Sequence, residues 1–320
     1  MKHYTLTTGS LMPAIGFGTS RLVPDTLEQA IHTALSAGFR HFDTAAIYGN
    51  ETEVGAALNK GFSICSREEV WVTSKLWCDA HEPEHVLPAL KESLAKLQLD
   101  YVDLYLMHFP VALKRGVTWP HSAADFLTLE QVPLAATWQA MEQCVQAGLV
   151  KNIGVSNFSI KKLTDLFATA RIKPAVNQIE IHPYQQEHTQ RKFAENHAIV
   201  LTGYAPLGSK NMEMKTASGR TLAPLLTHPV ILEIAANHDA TPAQILIAWQ
   251  LHIGAAPIPS SSTPERIYEN IKAATLSLTE HEMDMLGSLH AGAKIFDAKI
   301  FTEHGSPYTL DEIWDGELYS

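Results

Sequence analysis

The chain has 320 residues, of which 46% are hydrophobic and 18% are charged, a composition typical of a folded globular protein. No apolar run reaches the roughly 20 residues that a membrane-spanning helix needs, and the net charge of −10 argues against a nucleic-acid partner. The composition therefore predicts a soluble protein that acts neither in a membrane nor on nucleic acid.

The N-terminus and the cysteines indicate the compartment. The segment "MKHYTLTTGSLMPAIG" lacks the continuous apolar stretch and the small-residue cleavage site of a secretory signal. The three cysteines, Cys65, Cys78 and Cys144, are widely spaced, odd in number and without metal-type spacing. We therefore expect a cytoplasmic protein.

The predicted elements alternate between strands and helices along the whole chain. Polar alternation around "TTGS" predicts a small N-terminal β-hairpin. Eight strand-like segments follow: "PAIGFGTS", "FRHFDTA", "EVWVTSKLW", "VDLYLMHFP", "KNIGVSNF", "AVNQIEIHP", "IVLTGYAPLG" and "AAPIPSSS". The patterns between them are helical: "DTLEQAIHTALSAG" ends on a glycine, "EPEHVLPALKESLAKLQ" is amphipathic, and "TPAQILIAWQ" and "TPERIYEN" each begin with Pro after a Thr cap.

Eight repeats of strand then helix predict an α/β fold, a (β/α)8 TIM barrel with the hairpin across its bottom. No linker or charge block divides the chain, so we expect a single domain over residues 1–320. Residues after about 290 lie beyond the eighth unit and are expected to form an extra C-terminal loop.

Four polar residues stand where three consecutive strands end. Asp43 ends "FRHFD", Lys75 ends "VWVTSK", His108 ends "DLYLMH", and Tyr48 follows the second strand on its loop. Singly, each has an ordinary explanation: a solvated lysine, a satisfied histidine, a helix-capping aspartate. Because barrel enzymes place their chemistry at the carboxyl ends of the strands, the four together predict an active site.

These four side chains suit the reduction of a carbonyl group. A neighbouring ammonium lowers the pKa of a phenol, so Lys75 would make Tyr48 a better proton donor, while Asp43 would keep a desolvated Lys75 charged. A neutral imidazole on His108 would orient the carbonyl oxygen with a hydrogen bond. The set would protonate a carbonyl oxygen while a hydride reaches the carbon.

At this point the sequence resembles the aldo-keto reductase superfamily. The blocks "FDTAAIYGNETEVGAAL", "LDYVDLYLMHFP", "AGLVKNIGVSNF", "VNQIEIHPY", "GYAPLGS" and "TPERIYEN" are similar to family blocks, in the family's order, over about residues 5 to 275. The resemblance implies an NAD(P)H-dependent carbonyl reductase of the aldose or aldehyde reductase type. It implies Tyr48 as the acid, Lys75 and Asp43 as the groups that tune it, and His108 as the group that orients the substrate.

The resemblance also implies a cofactor site. Ser156, Asn157 and Gln178 would hold the nicotinamide carboxamide, Tyr204 would stack on its ring, and Gly18 and Thr19 would line the site. The loop from Pro206 to Arg220 would cover the pyrophosphate through Leu207 and Ser209, or be a passive surface loop. The adenosine end would be held by Ser260, Ser261, Thr263, Arg266, Glu269 and Asn270. Ser260 stands where relatives carry a Lys that pairs with the 2′-phosphate of NADPH. We therefore expect use of NADPH, with NADH also competent.

Four residues are expected to face the substrate: Ser20, Ile47, Trp77 and Phe109. Ser20 and Phe109 stand where related proteins carry Trp, which predicts a less bulky wall. A small carbonyl compound with an apolar or sugar-like tail is compatible with this set. We expect a monomer or a weak oligomer.

Two other motifs are set aside. "GFGTSR" is close to a dinucleotide-binding glycine pattern, but Arg21 stands where the third glycine must be. "HEPEH" spaces His81 and His85 like zinc ligands, but no third ligand is evident, so a solvated helix cap is favoured and no metal is expected.

Two rival functions stay open. Lys75 could form a Schiff base with a carbonyl substrate, as in an aldolase or isomerase barrel. Alternatively, the chain could be a redox-sensing subunit that binds NADPH with little turnover, as one branch of the resembled superfamily is.

Overall fold

The computed structural model describes residues 2–208 and 214–319. The strands in these parts of the chain are β1 (His3–Thr5), β2 (Leu11–Pro13), β3 (Phe17–Gly18), β4 (His41–Asp43), β5 (Trp71–Leu76), β6 (Val102–Met107), β7 (Ala112–Leu113), β8 (Phe126–Leu127), β9 (Val150–Ser156), β10 (Val176–Glu180), β11 (Val200–Tyr204) and β12 (Ala256–Pro257). The eight predicted barrel strands and both hairpin strands are present.

The barrel is a parallel sheet in the order β3, β4, β5, β6, β9, β10, β11, β12. The first and last strands meet because the amide of Gly16 donates to the carbonyl of Pro257 at 2.9 Å and that of Gly18 to the carbonyl of Pro259 at 3.0 Å. A Cβ on Gly18 would lie 3.1 Å from the carbonyl oxygen of Ile258, so this seam requires a small residue. The predicted (β/α)8 fold is confirmed.

The hairpin covers the end of the barrel at which the strands begin. Strand β1 pairs antiparallel with β2. Leu6 and Met12 pack in one apolar cluster with Trp71, Val176 and Ala256, which begin barrel strands. The prediction of a hairpin at the barrel bottom is therefore correct, and the opposite rim stays open.

The helices are α1 (Pro24–Ala37), α2 (Glu51–Gly61), α3 (Pro83–Leu97), α4 (Leu134–Gln146), α5 (Ile160–Thr169), α6 (His188–Asn196), α7 (Pro229–Asn237), α8 (Pro242–His252), α9 (Pro264–Lys272), α10 (Glu280–Gly287) and α11 (Leu310–Trp314). Sequence cues fix several ends. Gly38 ends α1 with a φ of 103°, and the hydroxyl of Thr241 accepts from the amide of Gln244 at the start of α8. Thr263 occupies the predicted cap position of α9 but makes no capping bond with its side chain.

The segment after α10 lies over the open rim. Phe301 and Trp314 from this segment pack in one apolar cluster with Trp77 and Phe109 of the rim. The carboxylate of Glu317 accepts the amide of Ile160 at 3.0 Å, which ties the C-terminus to the start of α5. The predicted C-terminal loop is therefore present, and it carries the short helix α11 that the sequence did not indicate.

No helix in the described parts of the chain is both long and apolar enough to cross a membrane.

Candidate active site

The fold brings the four predicted catalytic residues together. Asp43 is the last residue of β4, Lys75 lies near the end of β5, and His108 directly follows β6. Tyr48 ends a short 3-10 turn after β4. Asp43, Tyr48 and His108 line a cavity of about 690 Å³ at the rim, and Lys75 is fully buried behind them.

The ammonium group of Lys75 uses all three of its protons within this cluster. It donates to Asp43 Oδ1 at 2.5 Å, to the carbonyl of Thr44 at 2.9 Å and to the phenol oxygen of Tyr48 at 3.2 Å. Because Tyr48 accepts this bond, its own O–H proton is left to point into the cavity.

The charge on Lys75 is maintained by its neighbours. Burial favours the neutral amine, but Asp43 and Tyr48 outweigh burial and raise the pKa of Lys75 above its ordinary value. The second carboxylate oxygen of Asp43 accepts from the Gln178 amide at 2.8 Å. The predicted role of Asp43 as the counter-charge of Lys75 therefore agrees with the geometry.

The expected effect on the Tyr48 pKa needs a correction. Burial raises the pKa of the Tyr48 phenol, and the Lys75 ammonium opposes this without reversing it. The loss of solvent around the phenol is thus a larger effect than the neighbouring charge. Tyr48 is therefore a protonated phenol whose conjugate base is stabilised by Lys75.

His108 is a neutral imidazole. Burial, together with the charge of Lys75, holds the pKa of His108 well below its ordinary value. Its Nδ1 is buried and has no partner among the described residues, which leaves Nε2 as the ring nitrogen that faces the cavity. The rings of His108 and Tyr48 lie edge to face with centroids 5.9 Å apart. Both side chains can therefore donate a hydrogen bond to the same oxygen atom of a ligand in the cavity.

The predicted nicotinamide residues form the cavity wall beside this cluster. The Tyr204 hydroxyl donates to Asn157 Oδ1 at 2.9 Å, Asn157 Nδ2 donates to Ser156 Oγ at 3.0 Å, and Ser156 Oγ donates to the Gln178 carbonyl at 2.8 Å. These bonds anchor the hydroxyl end of Tyr204, whose side chain lines the cavity. The NH₂ group of the Gln178 side chain donates a hydrogen bond to Asp43, so the side-chain oxygen of Gln178 can accept a hydrogen bond from a ligand. A flat ring bearing a carboxamide fits this donor and acceptor set.

The other predicted cofactor residues lie partly at the cavity and partly beyond it. Gly18, Leu207 and Ser260 line the cavity, and Ser209 lies outside the described residues. Thr19 corrects the prediction: it is fully buried, its hydroxyl donates to the backbone carbonyl of Asp43 at 3.0 Å, and it does not line the cavity. The remaining residues lie beyond the cavity edge, on the loop after β12 and the first turns of α9; they are Ser261, Thr263, Arg266, Glu269 and Asn270.

The substrate side of the cavity is rich in aromatic side chains. Ser20, Ile47, Trp77 and Phe109 all line it, as predicted. However, Trp119 from the loop between β7 and β8 stands 5.1 Å from Trp77, centroid to centroid. The loop therefore adds an aromatic side chain at Trp119, which the sequence did not indicate, and the less bulky wall at Ser20 and Phe109 stays a prediction.

His81 is not the solvated helix cap that its motif indicated. It is 1% exposed, and burial lowers its pKa to about 3. His85 lies in α3, 3.6 Å from the carboxylate of Glu82. Among residues 2–208 and 214–319 no group of three or more His, Cys, Asp or Glu side chains is arranged to hold a metal ion.

Comparison with known proteins identifies the family. The model of the Aldo/keto reductase family matches residues 14–291. The chain belongs to this family. An aldo/keto reductase of Synechocystis is 46% identical over 318 residues, which cover 98% of this chain and 97% of the relative. The aldo-keto reductase family 1 member A1 of Bos taurus is 42% identical over 289 residues, which cover 89% of this chain and 88% of the relative. An aldose reductase structure from Schistosoma japonicum superposes with a TM-score of 0.88 at 36% identity, covering 99% of both chains.

The membership confirms the resemblance inferred from sequence. Aldo-keto reductases are oxidoreductases that typically use a nicotinamide cofactor and act on small carbonyl compounds. The chain is therefore an enzyme of this class.

Sequence reasoning missed several residues that line the cavity of this aldo-keto reductase. Glu180 could have been found, because it lies two positions after Gln178 on β10 and so shares its face. Arg21, Trp119, Ile295 and Phe296 lie in loops, where no periodic pattern indicates which side chains turn inward.

Proposed function

We propose that this aldo-keto reductase reduces an aldehyde or ketone to the alcohol, with NADPH as the hydride source, NADH also competent, and Tyr48 as the proton donor. The observation that carries the proposal is the bond from Lys75 to the phenol oxygen of Tyr48, which leaves the phenol proton facing the cavity beside His108. The bound cofactor would supply the hydride.

The residues of the chain would act on the carbonyl oxygen. Tyr48 would donate its proton as negative charge develops there, and the ammonium of Lys75 would stabilise the resulting phenolate. Asp43 would keep that ammonium in place, and His108 would donate a hydrogen bond from Nε2. The nicotinamide would be held at the cavity wall beside this cluster by Ser156, Asn157, Gln178 and Tyr204.

A Schiff-base mechanism is disfavoured by the state of Lys75. A lysine nucleophile must be a neutral amine. Here all three protons of the ammonium are donated to neighbours, and Asp43 helps to keep the pKa of Lys75 raised. Borohydride added with a carbonyl substrate should therefore trap no adduct on this lysine.

The function is tested by incubating the purified protein with a panel of aldehydes and ketones and following nicotinamide absorbance with NADPH and with NADH. We expect oxidation of the cofactor that requires both protein and carbonyl compound. Tight binding of NADPH without turnover on any member of the panel would support the redox-sensing alternative instead.

The pH dependence follows from the shifted pKa values. The pKa of His108 is held low and that of Tyr48 is raised, so the neutral imidazole and the protonated phenol coexist over a wide range around neutrality. We expect kcat/KM for reduction to be flat across neutral pH and to fall only in alkaline solution, as Tyr48 loses its proton. Oxidation of the alcohol needs the phenolate as base and should rise over that same alkaline range. A fall in reduction that begins near neutral pH would contradict the raised pKa of Tyr48.

Cofactor preference is expected to depend on Ser260. A hydrogen bond to a charged group contributes about 1.5–3 kcal/mol, so a hydroxyl in place of an ammonium should weaken NADPH binding roughly ten- to a hundredfold. We expect Ser260→Lys to tighten NADPH and to change NADH little, as measured by titrating both cofactors. Ser262→Lys places the same charge on the same loop and should have a smaller effect. Equal tightening by both variants, or none, would show that Ser260 does not face the 2′-phosphate.

A further inference from the structure

The carboxylate of Glu180, at the end of β10, is buried and binds the C-terminal segment. Glu180 has no exposed surface. Its Oε1 accepts the amide of Ile295 at 2.6 Å, and its Oε2 accepts the amide of Phe296 at 3.1 Å. Two consecutive backbone groups of the segment over the rim are thus bound to a barrel strand.

His182 fixes the orientation of this carboxylate. The amide of Gln185 donates to His182 Nδ1 at 3.2 Å, so that nitrogen carries no proton. The ring proton is then on Nε2, which lies 2.9 Å from Glu180 Oε1. Three donors therefore converge on the Glu180 carboxylate, and two of them belong to the C-terminal segment.

A second buried contact binds the preceding residue. Lys294 Nζ lies 2.8 Å from Glu187 Oε1, and both side chains are 3% exposed. The ammonium also lies 4.2 Å from the centre of the Trp314 ring. Ile295 and Phe296 are thus bound to β10, and Lys294 is bound to the segment that follows it.

The bound residues form the outer wall of the substrate cavity. Ile295 and Phe296 both line it. The centroids of Phe296 and Phe109 are 5.3 Å apart, and those of Phe109 and His108 are 6.1 Å apart. Phe109 therefore connects the ring of His108 to that of Phe296, so a substrate long enough to pass Phe109 would contact Phe296.

We infer that Glu180 is a positioning residue that sets substrate length and shape selectivity by holding Ile295 and Phe296 against the cavity. The inference rests on the proposed carbonyl reduction. Glu180 takes no part in proton transfer; it acts through the backbone of the two residues that it binds.

The test compares a short aldehyde, propanal, with a long one, biphenyl-4-carbaldehyde. In Glu180→Gln the amide NH₂ group cannot accept a backbone N–H, so at least one of the two bonds is lost. An aromatic contact contributes about 0.5–1.5 kcal/mol, so we expect KM for the long aldehyde to rise about two- to tenfold relative to KM for propanal. The kcat ratio of the two aldehydes should not move. Hydrogen exchange at the amides of Ile295 and Phe296, measured without substrate, should become faster.

A matched control is available in Glu142, a buried carboxylate on α4 that also accepts two consecutive amides, those of Arg171 at 2.7 Å and Ile172 at 2.9 Å. Both amides donate to Oε1 of Glu142, an oxygen that glutamine keeps, so Glu142→Gln removes a buried charge without losing these bonds and should not change the ratio of the two KM values. Phe296→Ala should change the ratio as Glu180→Gln does, and adding Glu180→Gln to it should change the ratio no further. If Glu180→Gln fails to fold, Glu180→Asp keeps the charge but is too short for both amides and serves in its place.

The outcomes separate the two claims. If the wild type reduces neither aldehyde, the proposed function fails. If it reduces both, but the KM ratio is unchanged in the Glu180 variants or changes equally in Glu142→Gln, the positioning role is overturned.

Discussion

Tyr48→Phe is expected to lower kcat for aldehyde reduction by roughly 10²- to 10⁴-fold, the usual contribution of a positioned general acid. The variant removes the proton that faces the cavity and keeps the ring. Cofactor affinity should stay close to that of the wild type, because the phenol acts on charge that develops only in the transition state. Steady-state turnover and a cofactor titration measure the two effects.

Tyr184→Phe is the matched control for this variant. The Tyr184 hydroxyl donates to the carbonyl of Ala223 at 2.9 Å and does not line the cavity. Its removal should leave kcat unchanged. If Tyr48→Phe keeps more than about a tenth of the turnover, another group is the acid.

Lys75→Met is expected to reduce turnover strongly and also to lower the stability of the fold. The variant takes the ammonium away from Tyr48, so the phenolate is no longer stabilised as it forms. It also leaves the carboxylate of Asp43 buried without its counter-charge, and breaking a buried pair in this way costs about 3–5 kcal/mol. Turnover and thermal unfolding report the two losses separately.

The double variant Asp43→Asn with Lys75→Met separates charge balance from catalysis. It removes both charges, so much of the lost stability should return while turnover stays low. Recovery of turnover in the double variant would show that Lys75 serves only to neutralise Asp43.

The barrel could be predicted because each strand carries its own local signal. The run ending at Lys75 is apolar and bounded by polar residues, and α8 begins with a Thr cap and Pro242. The rule that parallel strands place their carboxyl ends on one rim then predicts that Asp43, Lys75 and His108 meet. For Asp43, Lys75 and His108, a place at the end of a barrel strand is therefore enough to predict that the side chains lie close together.

The walls of the cavity could not be predicted in the same way. Trp119 and Phe296 belong to long loops, whose paths depend on tertiary contacts such as those of Glu180 with the C-terminal segment. Thr19 shows a related limit: it is next to Gly18 in the chain, but its side chain turns inward to the backbone of Asp43. Adjacency in a motif does not specify which side chain reaches the ligand.

The direction of the Tyr48 pKa shift could not be predicted from the sequence, for a different reason. The sequence indicates that a lysine is near the phenol, and that contact lowers the pKa as expected. The sequence does not indicate how fully the phenol is buried, and burial is the larger effect. The net direction of such a shift requires the packed structure.

The most direct test of the central claim is to follow the hydride. Reduced nicotinamide carrying deuterium at C4 is incubated with the protein and an aldehyde that it consumes, and the alcohol is analysed by mass spectrometry. With the labelled cofactor in ordinary water, the proposed reaction predicts one deuterium on the carbinol carbon of the product when the label is on one of the two faces of C4. With unlabelled cofactor in D₂O, it predicts no deuterium at that carbon. Consumption of the aldehyde without transfer of the label, or with label from solvent at that carbon, would contradict it.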